Sequence, residues 1–192
     1  PISTYLEALA AACARGNATE HTHRPALKAL IESLGKGITA TNEPKRVACG
    51  APDYIVIKGE VPLGYIEAKD IGESLDKVEK TDQMTRYKGA LGNLILTDYL
   101  EFRWFVSGEK RLSARLGTVG AKGKVVIDEP GIQATIQLLT AFLESQAPTL
   151  KSPKDLASRM ARLALLIRDT IRRAFESEEG GGSLHTQMKS FQ

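Results

Sequence analysis

Asp53, Glu67 and Lys69 are the residues of this chain whose types and spacing suit chemistry. Asp53 opens the run Asp53-Tyr54-Ile55-Val56-Ile57, and Glu67-Ala68-Lys69 closes Gly64-Tyr65-Ile66. Both runs read as short strands. A strand turns successive side chains to opposite faces, so Glu67 and Lys69, two apart, project from the same face. With Asp53 paired alongside, two carboxylates and one ammonium converge at the end of a sheet. A hard cation such as Mg²⁺ takes two such carboxylates and completes its octahedron with water and phosphate oxygens. An adjacent lysine orients a water molecule or stabilises charge developing on a phosphate. The set predicts phosphodiester hydrolysis.

The elements that position these residues follow from periodicity and punctuation. Thr4-x-x-Glu7 has the form of a capping box and predicts a helix from Tyr5 to Ala14, ended by Gly16-Asn17. A second helix is expected from near Thr22, with Pro25 in its first turn and Leu27, Leu30, Ile31 and Leu34 on one side. Lys36 to Gly50 is polar and broken by Gly, Asn and Pro, with a short strand around Val47. Lys58-Gly59-Glu60-Val61-Pro62 is a hairpin turn joining the Asp53 strand to the strand of Leu63 to Lys69. Ser74 to Leu91 reads as helix, Leu94 to Leu96 and Leu100 to Val106 as apolar strands, and Arg111 to Leu116 and Val125 to Asp128 as edge strands. Ile132 to Leu143 and Leu156 to Phe175 are helical by spacing.

A chain of 192 residues suits one compact domain with an appendage. Its net charge of +3 is too small to argue nucleic-acid binding by itself, so a basic surface must be local. Cys13 and Cys49 have no CxxC partner and suit a reducing compartment as small buried thiols. No apolar run approaches the roughly 20 residues needed to span a bilayer, and the N-terminus has no signal-peptide pattern. A cytoplasmic protein is expected.

Gln83 and Tyr87 lie four apart on the helix after the Glu-x-Lys strand and so share a face. The order of helix, acid-bearing strand, Glu-x-Lys strand, helix and strand resembles the PD-(D/E)XK nuclease core, with Pro52-Asp53 and Glu67-Ala68-Lys69 as its motif. Gln83-Met84-Thr85-Arg86-Tyr87 resembles the Gln-x-x-x-Tyr motif of RecB-like and type I restriction nucleases. Glu20-x-Thr22-x-Arg24-Pro25-Ala26-Leu27, Asn42-Glu43-Pro44-Lys45-Arg46, Gly50-Ala51-Pro52-Asp53 and Leu96-Thr97-Asp98 extend the likeness. Together, over about residues 20 to 106, they look like the N-terminal nuclease region of type ISP and type IIG single-chain restriction-modification enzymes.

The resemblance implies an α/β fold with a central mixed sheet flanked by helices, followed by a helical C-terminal extension. It implies a Mg²⁺-dependent DNA endonuclease, with Mn²⁺ as a substitute. Asp53 and Glu67 would bind the metal together with the backbone carbonyl of Ala68, and Lys69 would position or activate the attacking water. Glu20 occupies the place of a further helix glutamate on the metal, unless it serves the dipole of its own first helical turn. Gln83 and Tyr87 would place the substrate. Arg86, Arg159 and Arg162 are candidates for DNA backbone contacts. The arginines from Arg159 to Arg173 either track phosphates or form the solvated face of a spacer helix.

In such enzymes the nuclease precedes a helical spacer and an adenine methyltransferase, with an ATP-driven translocase before the spacer in the ISP type. This chain has no Asn-Pro-Pro-Tyr motif and no Walker loop. GTVGAKGK at 117–124 has one residue too many between its glycines, and Val125 replaces the needed Ser or Thr. The expected organisation is a nuclease domain over 1–148, a helical extension over 149–179, and a flexible tail from 180, opened by Gly180-Gly181-Gly182. The chain reads as the N-terminal piece of a longer enzyme, covalently linked to a methyltransferase module and, in the ISP type, a translocase.

Other residues weigh less. His21 and His23 lack further ligands at zinc spacing. Trp104, beside Arg103, reads as a core aromatic rather than a base contact. Two rivals stand beside the endonuclease: a non-catalytic DNA-binding or docking domain that keeps the fold, and a nuclease acting on RNA or single-stranded ends. Nothing in the chain reads a base sequence.

Overall fold

The computed structural model describes residues 1–16, 19–42, 52–120 and 124–145, with helical positions at 157, 160, 161, 164, 165, 167 and 168. The expected strand around Val47, Cys49, Arg159, Arg162, the glycines at 180–182, the domain boundaries at 148 and 179 and the side chain of Glu20 lie outside the described residues. The chain divides into two units, one of Pro1–Pro44 with Pro52–Thr149 and one of Lys45–Ala51 with Leu150–Gln192. Every element below belongs to the first.

Helices α1 (Ile2–Ala14) and α2 (Glu20–Ser33) lead into strand β1 (Ile38–Asn42), then β2 (Tyr54–Lys58) and β3 (Val61–Ala68). Two short helices follow, α3 (Leu75–Val78) and α4 (Asp82–Ala90), then β4 (Asn93–Thr97), β5 (Glu101–Val106) and β6 (Glu109–Arg115). A separate two-stranded ladder of β7 (Gly117–Val119) and β8 (Val125–Ile127) precedes α5 (Glu129–Glu144).

The six strands β1 to β6 form one sheet in sequence order. All neighbours are antiparallel except β3 and β4, which run parallel. Parallel neighbours need a crossover, and α3 and α4 supply it. The result is a mixed sheet with helices on both faces. Strand alternation sorts the faces. Val56, Ile66, Ala68 and Ile95 join one buried cluster with Leu9, Leu27 and Ile31 of α1 and α2 and Leu138 and Phe142 of α5. Leu94 and Phe105, paired across β4 and β5, point the other way, where Lys88 of α4 lies over the Phe105 ring. Each fully buried side chain of this kind contributes about 1.5–3 kcal/mol.

Local differences from the sequence expectation have physical causes. The first helix begins at Ile2, capped by Pro1, so Thr4 and Glu7 lie within it and form no capping box. The box belongs to α2, where the Thr19 N–H donates to Thr22 Oγ1 at 3.1 Å. Helix α2 therefore starts earlier than Thr22, and Pro25 falls inside it. The stretch from Ser74 to Leu91 is two helices, because Thr81 caps a new one by accepting the Met84 N–H. Pro62 is tolerated in β3 because β4 pairs with that strand only from Tyr65 onward. Gly64 lets α5 approach β3: a Cβ there would stand 2.5 Å from the Phe142 ring.

Candidate active site

The site is built where β2 begins and β3 ends. Tyr54 pairs with Ile66 in an antiparallel ladder, so Asp53, one residue earlier, stands opposite Glu67. Because Ile66 and Ala68 face the cluster under α1, α2 and α5, Glu67 and Lys69 project from the opposite face, the side of α4. Asp53 Oδ2 accepts the Ala68 N–H at 2.8 Å, which pins the acid against the motif strand. The two carboxylates the sequence singles out are thus brought together at one sheet end.

Both are nearly buried and both face cations. The Asp53 side chain is 10% exposed and the Glu67 side chain 4%. Lys69 Nζ lies 2.6 Å from Glu67 Oε1, and Arg24 Nη2 lies 2.5 Å from Asp53 Oδ1. Removing the two carboxylates from water costs several kcal/mol per ion, and apolar replacements of such pairs are often more stable. Two buried carboxylates paired with half-buried cations at the end of a sheet are therefore poor stability engineering and a good functional candidate.

Gln83 and Tyr87 sit on α4 and are joined, Gln83 Nε2 donating to Tyr87 Oη at 3.0 Å. Tyr87 is buried. Burial, and then the negative charge of Glu67, push its hydroxyl well above the ordinary phenol range, and Asp53 adds to the shift. The Gln83 hydrogen bond and the charge of Arg86 act the other way. Tyr87 is thus a neutral phenol within the field of both acids. Arg86 is half-buried on the same helix.

The fold is similar to that of a chain in the DrdV–DNA complex. That structure, from cryo-electron microscopy, matches with a TM-score of 0.57 at 20% identity, over 76% of this chain and 96% of that one. No protein-family model matches the sequence, and none of the curated proteins matches it. The DrdV likeness is one of fold, and it spans most of both chains.

Among the described residues no group of three or more His, Cys, Asp or Glu side chains is arranged to hold a metal. The donors at this sheet end are two carboxylates, hard oxygen ligands that fit Mg²⁺ when water, backbone or substrate oxygens supply the rest. The backbone of Glu20 opens α2, the helix that also carries Arg24. His23 is buried against the Tyr99 ring, 5.2 Å between centroids, while His21 is exposed, so the two histidines share no site. Arg103 is taken up by Asp76, Glu79 and Glu101 at 2.6–2.9 Å, and Trp104 Nε1 donates to Asn93 Oδ1 at 2.6 Å. Neither is set to read a base.

Arg24 and Asp98 also shape the site. In the sequence Arg24 shows only as a charge beside the apolar stripe of α2. Asp98 follows β4, where its Oδ1 accepts the N–H groups of Leu100 and Glu101 and its Oδ2 that of Gly72. It ties the loop just after Lys69 to the β4–β5 turn. No spacing rule announces such a bond between residues 26 apart.

Proposed function

We propose that this chain is a Mg²⁺-dependent DNA endonuclease of the PD-(D/E)XK class, the cleavage module of a single-chain restriction-modification enzyme of the type ISP or IIG kind. The observation that carries the reading is the buried Asp53–Glu67 pair with Lys69 beside it at the end of a central strand. The fold likeness to a chain of the DrdV–DNA complex supports DNA as the substrate. A methyltransferase module, and in the ISP type a translocase, would be linked covalently to it.

Asp53 and Glu67, with the Ala68 carbonyl and Glu20, would hold the cation. When bound, Mg²⁺ supplies charge neutralisation and lowers the pKa of a coordinated water. Lys69, fixed on the Glu67 face, holds a water for in-line attack on phosphorus and offsets negative charge developing there. The P–O3′ bond breaks and the product keeps a 5′-phosphate. Gln83 and Tyr87 would support substrate placement, the buried Tyr87 hydroxyl anchoring the half-buried Gln83 amide. Arg86, with Arg159 and Arg162, would add salt-dependent phosphate contacts.

Internal neutralisation of both carboxylates is the observation that favours a rival, a docking domain that keeps the fold without the chemistry. Conversion of supercoiled plasmid to nicked or linear DNA, with Mg²⁺ or Mn²⁺ and with a chelator, separates the two. Cleavage in the presence of the ion alone supports the nuclease, and cleavage that survives the chelator contradicts it.

A further inference from the structure

We propose that Arg24 is the resident counter-ion of the cation site, holding the Asp53 oxygen that a divalent ion would take and so setting how readily the site loads. This rests on the reading that Asp53 and Glu67 bind such an ion. Both Asp53 oxygens are engaged, Oδ2 by the Ala68 N–H at 2.8 Å and Oδ1 by Arg24 Nη2 at 2.5 Å. The first bond comes from the motif strand that also carries Glu67. The second comes from another element, 29 residues earlier in the chain.

Three features make the Arg24 contact a competitor rather than a support. Its side chain is 11% exposed, so water screens little of the repulsion between a guanidinium and a dication on one carboxylate. A guanidinium cannot shed its charge, whereas a lysine loses its proton when the environment disfavours it. Loading therefore requires the side chain to leave. The backbone beneath it is held separately, since Tyr54 Oη donates to the Arg24 carbonyl at 3.0 Å. The guanidinium is thus able to swing away without moving α2. Lys69 differs: it directly follows β3, facing the same way as Glu67, and the proposed chemistry needs it there.

Competition and support predict opposite signs. Calorimetric titration of Mn²⁺ into the whole chain, in wild type, Arg24→Gln, Arg24→Lys and Asp53→Asn, reads them directly. Arg24→Gln should bind Mn²⁺ about tenfold more tightly than wild type, the lower end of what a charge-assisted hydrogen bond is worth. Its metal-free melting temperature should fall, with Mn²⁺ restoring it. Arg24→Lys, which keeps a charge but loses the planar fork, should lie between, and it carries the test if the glutamine variant does not fold. Equal or weaker Mn²⁺ binding in both folded variants would overturn the proposal while leaving the cation site standing. Wild-type binding that persists in Asp53→Asn, or no binding in any variant, would overturn the cation reading and the competition with it.

Discussion

Asp53 accepts the backbone N–H of Ala68 at 2.8 Å, a side chain from the start of β2 tied to the main chain of the motif strand β3. The bond sets the position of one acid by the backbone that carries the other acid and the lysine. The spacing of the three groups thus depends on the sheet more than on rotamers. Asp53→Asn keeps an oxygen for Ala68 but removes the charge. We expect folding to be retained by circular dichroism and Mg²⁺-dependent nicking to fall by at least about 100-fold, the scale of losing one electrostatic stabiliser. Asp53→Ala strands the buried amide as well and should also cost about 1–3 kcal/mol in urea unfolding.

Tyr87 is held by Gln83 on a face directed at the acids. Tyr87→Phe preserves the buried ring and deletes the hydroxyl that anchors the Gln83 amide. Fluorescence anisotropy with labelled duplex and Ca²⁺ should show affinity for DNA weakened by about tenfold, the worth of one hydrogen bond to a charged group lost when Gln83 is no longer held. The unfolding midpoint should change little. Unchanged affinity would make the pair a packing feature.

Asn93 links three elements. Its Nδ2 donates to Leu63 O at 2.7 Å and Phe142 O at 3.0 Å, and its Oδ1 accepts from Trp104 Nε1. Asn93→Ala leaves two carbonyls and an indole N–H without that partner in the interior. Urea unfolding should record a loss of about 3 kcal/mol.

His23 gives stability a pH dependence. Burial holds its imidazole below the ordinary 6.5, Asp70 opposing and Arg15 adding to the shift. As pH falls the unfolded chain therefore takes up the proton first. This contribution is complete above about pH 6.5 and is lost as pH drops from there toward the folded value. Thermal melts between pH 7.5 and 5.5 should show a decline in wild type that His23→Phe, which keeps a ring against Tyr99, makes shallower. Parallel slopes would remove His23 from the balance.

The sequence disclosed the parts of this molecule that depend on short spacing. Strands β2 to β5 and the long helices were legible because period 2 and period 3.6 are local signals. The meeting of Asp53 with Glu67 and Lys69 was legible because a hairpin joins their strands, and Gln83 with Tyr87 because four residues make one helical turn. Strand β1 was missed because only Ala40 of its five residues is buried, which leaves the alternation faint. The Arg24–Asp53 pair, the bonds of Arg103 to Asp76 and Glu79, and the Asp98 bond to Gly72 join residues distant in the chain. No local pattern encodes them, and only the assembled sheet brings them into register.

The most direct measurement is the Mg²⁺-dependent nicking rate of Glu67→Gln relative to wild type. The change is isosteric and removes only the charge that the buried position and Lys69 surround. We expect wild type to nick supercoiled plasmid and the variant to be slower by at least about 100-fold, with unchanged circular dichroism. A folded Glu67→Gln that nicks as fast as wild type would contradict the assignment of the site.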